Sequence, residues 1–187
     1  MRTNATVGAM TVATQNYAAG TLPASLVWQS LSFLRCEWPF LFGGDNRLRT
    51  RPFGGPADSH LVRTDGEVLL SYADVVRAEA IVGGRPVEVR GLSNVFTFPP
   101  YRAEGHASAI LAAARQLIDN SDAHVAILFC KRELEKFYSG HGWQRAPAGG
   151  IVSPSDAPVA MVHEGSPRGG EIIASLGSAP LSLPYAW

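Results

Sequence analysis

The sequence of 187 residues predicts an α/β domain with a mixed sheet, antiparallel in its first half and with a strand–helix–strand crossover in its second. Two observations support this class. The turn dipeptides Asp65-Gly66 and Gly83-Gly84 separate apolar runs that alternate with polar residues, which is typical of an antiparallel meander. A helical pattern between two strand patterns then follows, and such a crossover joins parallel strands.

The first half of the chain contains a weak strand, predicted over 6–13, and a polar stretch that ends at residue 20. Pro23 opens a helix and Pro39 ends it. Residues 40–60 are rich in Gly, Pro and Arg and predict a loop, which is long for a compact domain. The strands predicted after it are 60–63, 67–81 and 85–98.

In the second half, Pro99-Pro100 stops the last of these strands. The predicted elements that follow are a helix over 105–118, a buried strand over 123–130, a short helix over 131–140 and strands at 158–163 and 171–174. The last two strands could pair with a second copy of the chain in a homodimer, or lie inside one monomer.

Composition excludes several classes of function. The 16 basic residues, 14 Arg and 2 Lys, balance 16 acidic ones and form no run, which argues against nucleic-acid binding. No window reaches the ~18 apolar residues of a membrane helix, and the first residues lack the apolar core of a signal peptide. We therefore expect a soluble, cytoplasmic, single-domain protein spanning 1–187. The five histidines show no metal-ligand spacing, and Cys36 and Cys130 are expected to be buried thiols.

The junction between the strand over 85–98 and the helix over 105–118 carries the chemistry. A short loop with small residues opens a helix directly after a strand, so free backbone N–H groups lie at the positive end of the helix dipole. That arrangement binds phosphate or pyrophosphate, and Arg102 would add a charge. A plain helix cap beside a turn is the alternative interpretation of this junction taken alone.

Two motifs in this order resemble the GNAT superfamily of N-acetyltransferases. The first is Arg102-x-x-Gly105-x-Ala107, similar to the family's acetyl-CoA loop; the second is Phe137-Tyr138 followed by Gly142-Trp143. The resemblance covers about 60–145. In layout over 108–143 it is nearest to the aminoglycoside 2′-N-acetyltransferases, which also end in Trp. Residues 1–56, however, hold two acids against five arginines, which suits a polycationic drug poorly.

The resemblance implies a mostly antiparallel mixed sheet with central splayed parallel strands, flanked by helices. Acetyl-CoA would be the donor, held by a core over about 60–145, with acceptor-side elements over about 20–58 and 150–187. It implies cofactor contacts from the strand, Val95, Phe96 and Thr97, and from the loop, Arg102, Ala103, Glu104, Gly105, His106 and Ala107. The side chain of His106 is expected as a loop-facing cap.

Tyr138 is the residue that the resemblance implies as general acid for the leaving thiolate; a plain aromatic core residue is the alternative. The family's base position falls on Ser93, and a serine cannot act as a base near neutral pH. Candidate substitutes are a water held by Ser93 or Asn94, Glu79, and His141. Cys130 would lie near the thioester, and we interpret it as a small buried hydrophobe.

The resemblance implies that the acceptor is the primary amine of a small molecule, bound by the first helix, the loop after it and the C-terminal segment. Aromatic residues of the first helix, the loop after it and the tail predict an apolar or planar pocket, with Trp38 and Trp187 as contacts, whereas Trp28 and Phe33 are expected to pack that helix on the sheet. The arginines of the neighbouring loop would alternatively suit an acceptor with a carboxylate or phosphate. These are Arg35, Arg47, Arg49, Arg51 and Arg63. A non-catalytic acyl-CoA-binding domain and a longer acyl donor are the competing functions.

Overall fold

A nine-stranded mixed sheet forms the centre of the computed structural model, which describes residues 12–51, 57–155, 157–185 and 187. Its elements in chain order are β1 (Val12–Ala18), α1 (Ala24–Glu37), β2 (Ala57–Asp65), β3 (Val68–Val82), β4 (Arg85–Thr97), α2 (His106–Asp119), β5 (Val125–Cys130), α3 (Glu135–Ser139), β6 (Gln144–Arg145), β7 (Ile151–Val152), β8 (Val159–Glu164), α4 (Pro167–Ser175) and β9 (Leu181–Ser182). Short 3-10 helices lie at Pro39–Phe42, Gly44–Leu48, Pro99–Tyr101 and Arg132–Leu134.

The strand order is β1-β2-β3-β4-β5-β8-β6, and β9 extends the end of β3 and pairs with β7. Neighbours in the main order are antiparallel except β4 and β5, which are parallel and joined through α2. The predicted fold class is therefore confirmed. Because β8 lies between β5 and β6 of the same chain, the strand predicted at 158–163 belongs inside the monomer.

Local sequence explains the meander. Gly83 and Gly84 both have positive φ, +54° and +76°, as a two-residue type I′ hairpin turn between β3 and β4 requires. At the preceding turn Gly66 has φ +57° and joins β2 to β3. The two dipeptides singled out from the sequence thus set the register of three neighbouring strands.

Helices cover both faces of the sheet. On one face α2 and α3 cover alternate residues of the strands, among them Ala126 and Leu128 of β5. On the other face α1 and α4 cover the residues between them, such as Val125 and Ile127. The α2 face and the α1 face of the sheet therefore contribute different residues to the functional site.

The strand predicted over 171–174 is wrong, because these residues belong to helix α4. Ser166 accepts a hydrogen bond from the Gly169 N–H, and Pro167 occupies the first helical position, so the start of the helix is well capped. A Cβ atom at Gly169 would overlap the His124 carbonyl, so glycine lets α4 approach the sheet closely. Ile172 and Leu176, four residues apart, are both buried.

Other expectations differ in detail. The first strand is Val12–Ala18 rather than 6–13, and 6–11 lie outside the described residues. The predicted loop over 40–60 contains two short 3-10 helices and the start of β2. Cys36 is exposed rather than buried, whereas Cys130 is buried. Among the described residues no helix is long and apolar enough to span a membrane.

Candidate functional site

The parallel strands β4 and β5 separate at the centre of the sheet. Their pairing runs from Val89 with Val125 to Leu92 with Leu128 and stops there, although β4 continues to Thr97. Beyond Leu92 the edge of β4 that faces β5 therefore has no strand partner in the described chain. Unpaired main-chain groups beside an opening between strands can bind an extended ligand in the manner of an added strand.

A bulge in β4 accompanies this separation. Ser93 lies opposite Asp74 and Phe96 opposite Tyr72, so β4 holds one more residue than β3 across this interval. The extra residue turns at Asn94, whose φ is +50°, a conformation that Asn tolerates better than most residues. Asn94 Nδ2 donates to Asp74 Oδ2 at 2.7 Å and so ties the bulge to β3.

The start of α2 lies immediately after the end of β4. Gly105 is the N-cap residue with φ +81°, and no side chain caps the helix. The first turn of an α-helix leaves its N–H groups without intrahelical partners. Ala103 also has a positive φ, +66°, and a Cβ atom at Gly105 would meet no atom within 4 Å. The helix thus presents free N–H groups and its positive end to open space.

Arg102 lies beside this loop but folds back. Its Nε donates to the Thr97 carbonyl at 3.1 Å, and its guanidinium is 3.8 Å from Glu37 at the end of α1. Arg102 is exposed, so the guanidinium can leave these contacts for an anionic ligand at little cost.

The side chain of His106 does not cap the loop, and that expectation is wrong. It is buried, its Nδ1 accepts from Arg63 Nε at 3.0 Å, and its Nε2 lies 3.2 Å from Glu104. Arg63 also donates to Thr14 Oγ1, so the three side chains tie the start of α2 to β1 and β2. The backbone N–H of His106 remains in the uncapped first turn.

Tyr138 lies on the α2 face of the sheet, in one apolar cluster with Cys130 and Val95. It is 5% exposed, and its hydroxyl makes no hydrogen bond within the described chain. Burial, with a smaller effect of the Cys130 thiol, raises the pKa of Tyr138. Burial and the nearby Glu135 and Glu133 raise the pKa of Cys130 to about 11. Both groups are therefore neutral at pH 7, and Tyr138 can donate a proton.

On the opposite face, β3 and β4 bring Ser93 next to Asp74. Asp74 is 1% exposed, and its Oδ1 accepts from His60 Nδ1 at 2.6 Å and from the Tyr72 hydroxyl. With Asn94 on its other oxygen, this buried carboxylate is fully hydrogen-bonded, which compensates its burial. Sequence reasoning missed this group, although an aspartate in the middle of an apolar strand is a signal that could have found it.

The residues that the sequence offered as substitute bases lie elsewhere. Glu79 is exposed, and its register partner across the β3–β4 ladder is Glu88. Glu79 lies five residues along β3 from Asp74, which is about 17 Å at strand spacing. His141 Nδ1 lies 2.8 Å from the Phe137 carbonyl, and its ring packs on that of Phe137, on the α2 face.

Comparison with known proteins identifies the family. The sequence over 42–146, more than half of the chain, matches the model of the acetyltransferase (GNAT) domain. The chain belongs to the GNAT family. Among curated proteins no sequence matches it.

Solved structures show the same GNAT fold. The chain is similar to the Escherichia coli GNAT family N-acetyltransferase YhbS in complex with CoA, with a TM-score of 0.63 and 15% identity over 96% of this chain and 93% of that one. Escherichia coli ElaA has a TM-score of 0.59 and 13% identity, over 82% of this chain and 100% of that one. An acyl-CoA N-acyltransferase from Pseudomonas aeruginosa has a TM-score of 0.59 and 13% identity, over 82% of this chain and 99% of that one. The nearer likeness to aminoglycoside 2′-N-acetyltransferases is not shown and stays a prediction.

The residues of this GNAT domain fit coenzyme A. The uncapped start of α2, with its left-handed Ala103 and Gly105, suits a pyrophosphate. The unpaired edge of β4 beyond Leu92 suits the amide groups of a pantetheine arm. Both features are properties of the backbone and do not depend on side-chain orientation.

Two aromatic groups flank Ser93 on the α1 face. Towards the end of β4, Phe96 stacks on Phe33 with ring centroids 4.1 Å apart, and Trp38 meets Phe33 edge-on at 6.3 Å. Towards its start, a Cβ atom at Gly91 would overlap the Trp187 ring. The packing of Phe33 on the sheet is confirmed, whereas Trp28 is 59% exposed and does not pack there.

The second aromatic group is built by the tail. Trp187 lies 5.9 Å from Phe129 and 5.9 Å from Tyr185, ring centroid to ring centroid. The Tyr185 hydroxyl donates to the Arg77 carbonyl at 2.6 Å, which holds the tail against β3. The indole Nε1 of Trp187 is buried and has no hydrogen-bond partner in the described chain.

Three of the arginines offered as acceptor contacts have structural partners, and one of them, Arg49, donates to Asn46 Oδ1. Arg35 lies 4.6 Å over the ring of Phe42 and donates to the Arg47 carbonyl, and Arg63 links β1, β2 and α2. Arg47 and Arg51 are exposed. The alternative acceptor with a carboxylate or phosphate therefore stays a prediction.

Proposed function

We propose that this GNAT domain, spanning 1–187, transfers an acetyl group from acetyl-CoA to a primary amine of a small molecule by direct attack of the amine. One observation carries the proposal. The opening between β4 and β5 has an uncapped helix start at its rim and a buried, protonated Tyr138 on the same face.

The chain's own groups would hold the donor as follows. Main-chain groups of Val95, Phe96 and Thr97 bind the pantetheine arm, and the N–H groups over 102–107 bind the pyrophosphate. Acetyl-CoA supplies the acyl carbon as a thioester. A main-chain N–H within 95–97 stabilises the charge that develops on the acyl oxygen.

Tyr138 acts as the general acid in this proposal. Its hydroxyl has no protein partner, and its raised pKa keeps it protonated throughout the neutral range. A protonated phenol in an apolar cluster can donate to the leaving thiolate. The alternative role, an aromatic core residue only, predicts no effect of its hydroxyl on turnover.

The acceptor site lies on the α1 face. Ser93 lies between the aromatic groups of Trp38 and Trp187, with the Asp74 carboxylate beside it. Flat apolar walls around a polar floor suit an arylalkylamine or a similarly planar amine. With only Glu37 and Asp45 as acids over 1–56, an aminoglycoside would find too few carboxylates.

A binding titration tests the donor side. Purified protein is titrated calorimetrically with acetyl-CoA, CoA and hexanoyl-CoA. Micromolar binding of acetyl-CoA that is lost when Gly105 is replaced by a bulky residue supports the loop assignment, and tighter hexanoyl-CoA binding would shift the donor to a longer chain. No binding of any of the three contradicts the proposal.

A second candidate is an acyl-CoA-binding domain without turnover, acting as a regulatory or scaffolding module. Ser93, at the position where the family resemblance implies a carboxylate, favours it. A panel of amines, with thiol release from acetyl-CoA as the readout, separates the two: binding without turnover of any amine indicates the module. Turnover that falls in Tyr138→Phe at unchanged acetyl-CoA affinity indicates the enzyme.

A further inference from the structure

We propose that His60, oriented by Asp74, accepts the proton that the acceptor amine loses. The inference rests on the proposed function and names a base on a strand that the sequence did not indicate. It is carried by a buried hydrogen-bond network on the acceptor face and by one ring nitrogen that the network leaves free.

The network fixes which nitrogen of His60 carries the proton. An ionised aspartate only accepts hydrogen bonds, so the contact of 2.6 Å between His60 Nδ1 and Asp74 Oδ1 requires a proton on Nδ1. The Tyr72 hydroxyl and Asn94 donate to the same carboxylate. With its oxygens occupied by three donors, Asp74 is an orienting group rather than the base, and His60 Nε2 holds a free lone pair.

His60 Nε2 is open to a ligand. It makes no hydrogen bond in the described chain, and it is not fully enclosed by protein atoms. The side chain as a whole is 11% exposed. The remaining access therefore includes Nε2, which can receive a proton from an amine or from a water that contacts one.

The placement of His60 matches the acceptor site. His60, Asp74 and Ser93 are register partners on three neighbouring strands, so their backbones span about 10 Å, and the imidazole leans over β3 to reach Asp74. An amine over Ser93 can pass its proton to Nε2 through one water. Tyr138 lies on the other face, so the proton-accepting and proton-donating groups stand on opposite sides of the strands.

Within the described residues, the ionisable groups that face His60 come from β1 and β3. From β3, Asp74 and Tyr72 face it, and from β1 its register partner is Tyr17. Two charged side chains of α1 are engaged elsewhere, Arg35 over Phe42 and Glu37 with Arg102. An imidazolium at His60 would thus meet the Asp74 carboxylate, as a base that becomes charged during turnover requires.

The proton balance closes with these two groups. The acceptor enters as an ammonium, R–NH3+, and leaves as an amide with one N–H, so two protons depart. The nitrogen lone pair forms the N–C bond as the C–S bond breaks. His60 Nε2 takes both protons from the nitrogen in turn, the first to free its lone pair and the second after the attack, and passes each to solvent. Tyr138 gives its own proton to the thiolate and regains one from solvent.

The test compares His60→Asn with a matched control, His163→Asn. Asn places an amide donor near the former Nδ1, so the bond to Asp74 is kept while the basic nitrogen is removed. His163 is equally buried and also bonds an aspartate, Asp119 at 2.9 Å, but it contacts the Gly142 carbonyl rather than the bulge. A loss that is merely structural would appear in both variants.

With phenethylamine as probe amine, His60→Asn should lower kcat about 100-fold or more, abolish the acidic limb of the kcat pH profile and recover partly with added imidazole. Acetyl-CoA affinity should not change. Asp74→Asn, as the change of a positioning residue, should move the apparent pKa of that limb. Equal losses in His60→Asn and His163→Asn, or an unchanged profile, would overturn the proposal.

A second measurement needs no acceptor. Nitrogen-15 NMR of labelled histidines at pH 8 should show His60 with a proton on Nδ1 and none on Nε2, and this preference should be lost in Asp74→Asn. A proton on Nε2 overturns the proposal even if no probe amine reacts. Failure of the proposed function is separate, since it appears as absence of acyl-CoA binding in the parent protein.

Discussion

Replacing Gly105 with Ala tests the pyrophosphate loop by backbone strain alone. Gly105 has φ +81°, and no atom lies within 4 Å of a Cβ built there, so the new methyl group meets no neighbour. The only cost is that of a left-handed alanine, about 1–2 kcal/mol. The loop is exposed, so the free variant can relax away from this φ, and a ligand must restore it.

That cost converts directly into affinity. A difference of one to two kcal/mol corresponds to a factor of about 5–30. We therefore expect Gly105→Ala to bind CoA about 5–30-fold more weakly in calorimetric titration. Its free energy of unfolding in urea should fall by no more than about 1–2 kcal/mol.

Gly84→Ala is the matched control. Gly84 has φ +76° and equally open surroundings, but it lies in the β3–β4 turn, at the far end of β4 from the loop. This variant should lose a similar free energy of unfolding and keep the parent's CoA affinity. Equal CoA affinity in the two variants would refute the assignment of the loop.

Further predictions concern chemistry and stability. Tyr138→Phe should lower kcat on the order of 100-fold or more at unchanged acetyl-CoA affinity; full turnover would reduce Tyr138 to a packing residue. Burial raises the pKa of Tyr138 and of Tyr72 above the ordinary value of about 10, so the unfolded chain ionises first and urea denaturation should show the free energy of unfolding falling above about pH 10. A flat profile there would contradict the burial. Gly169→Ala should destabilise the fold by about 3 kcal/mol, because its Cβ would overlap the His124 carbonyl, whereas Gly177→Ala, with open space, should leave the unfolding midpoint nearly unchanged. Equal midpoints would place α4 further from β5.

The elements that the sequence predicts well are those that local patterns determine. The helix from His106 to Asp119 follows from apolar residues at helical spacing, and the turns at Gly66 and Gly83 follow from the need for positive φ. The strand, turn and helix of the loop to which we assign the pyrophosphate belong to the same class, since they are contiguous.

The failures have tertiary causes. The segment predicted as a strand over 171–174 is a helix because Gly169 and Gly170 allow α4 to approach β5 and Glu164 closely. The side chain of His106 turns inward because Arg63, 43 residues away, donates to it. Neither partner is visible from the residues that flank these positions.

The hydrogen-bond network around Asp74 could not be predicted from the sequence. Counting along β4 leads to Ser93, but the carboxylate stands across from it, on β3. Its partner His60 is 14 residues further back, and register shifts within the β2–β3 pairing separate the two in any simple count. Only the paired strands bring these side chains together.

Asp74 contacts both the bulge of β4 and the proposed base. Through Asn94 it holds the bulge that accompanies the opening of β4 from β5, and through His60 it sets the tautomer of the proposed base. Since one carboxylate serves both, its loss should disturb donor binding and proton transfer together. His60→Asn should affect only proton transfer, and a change at Asn94 chiefly the strand opening. Strong non-additivity between Asp74→Asn and either of these changes would therefore follow from the shared carboxylate, because once Asp74 is gone each partner has already lost its function.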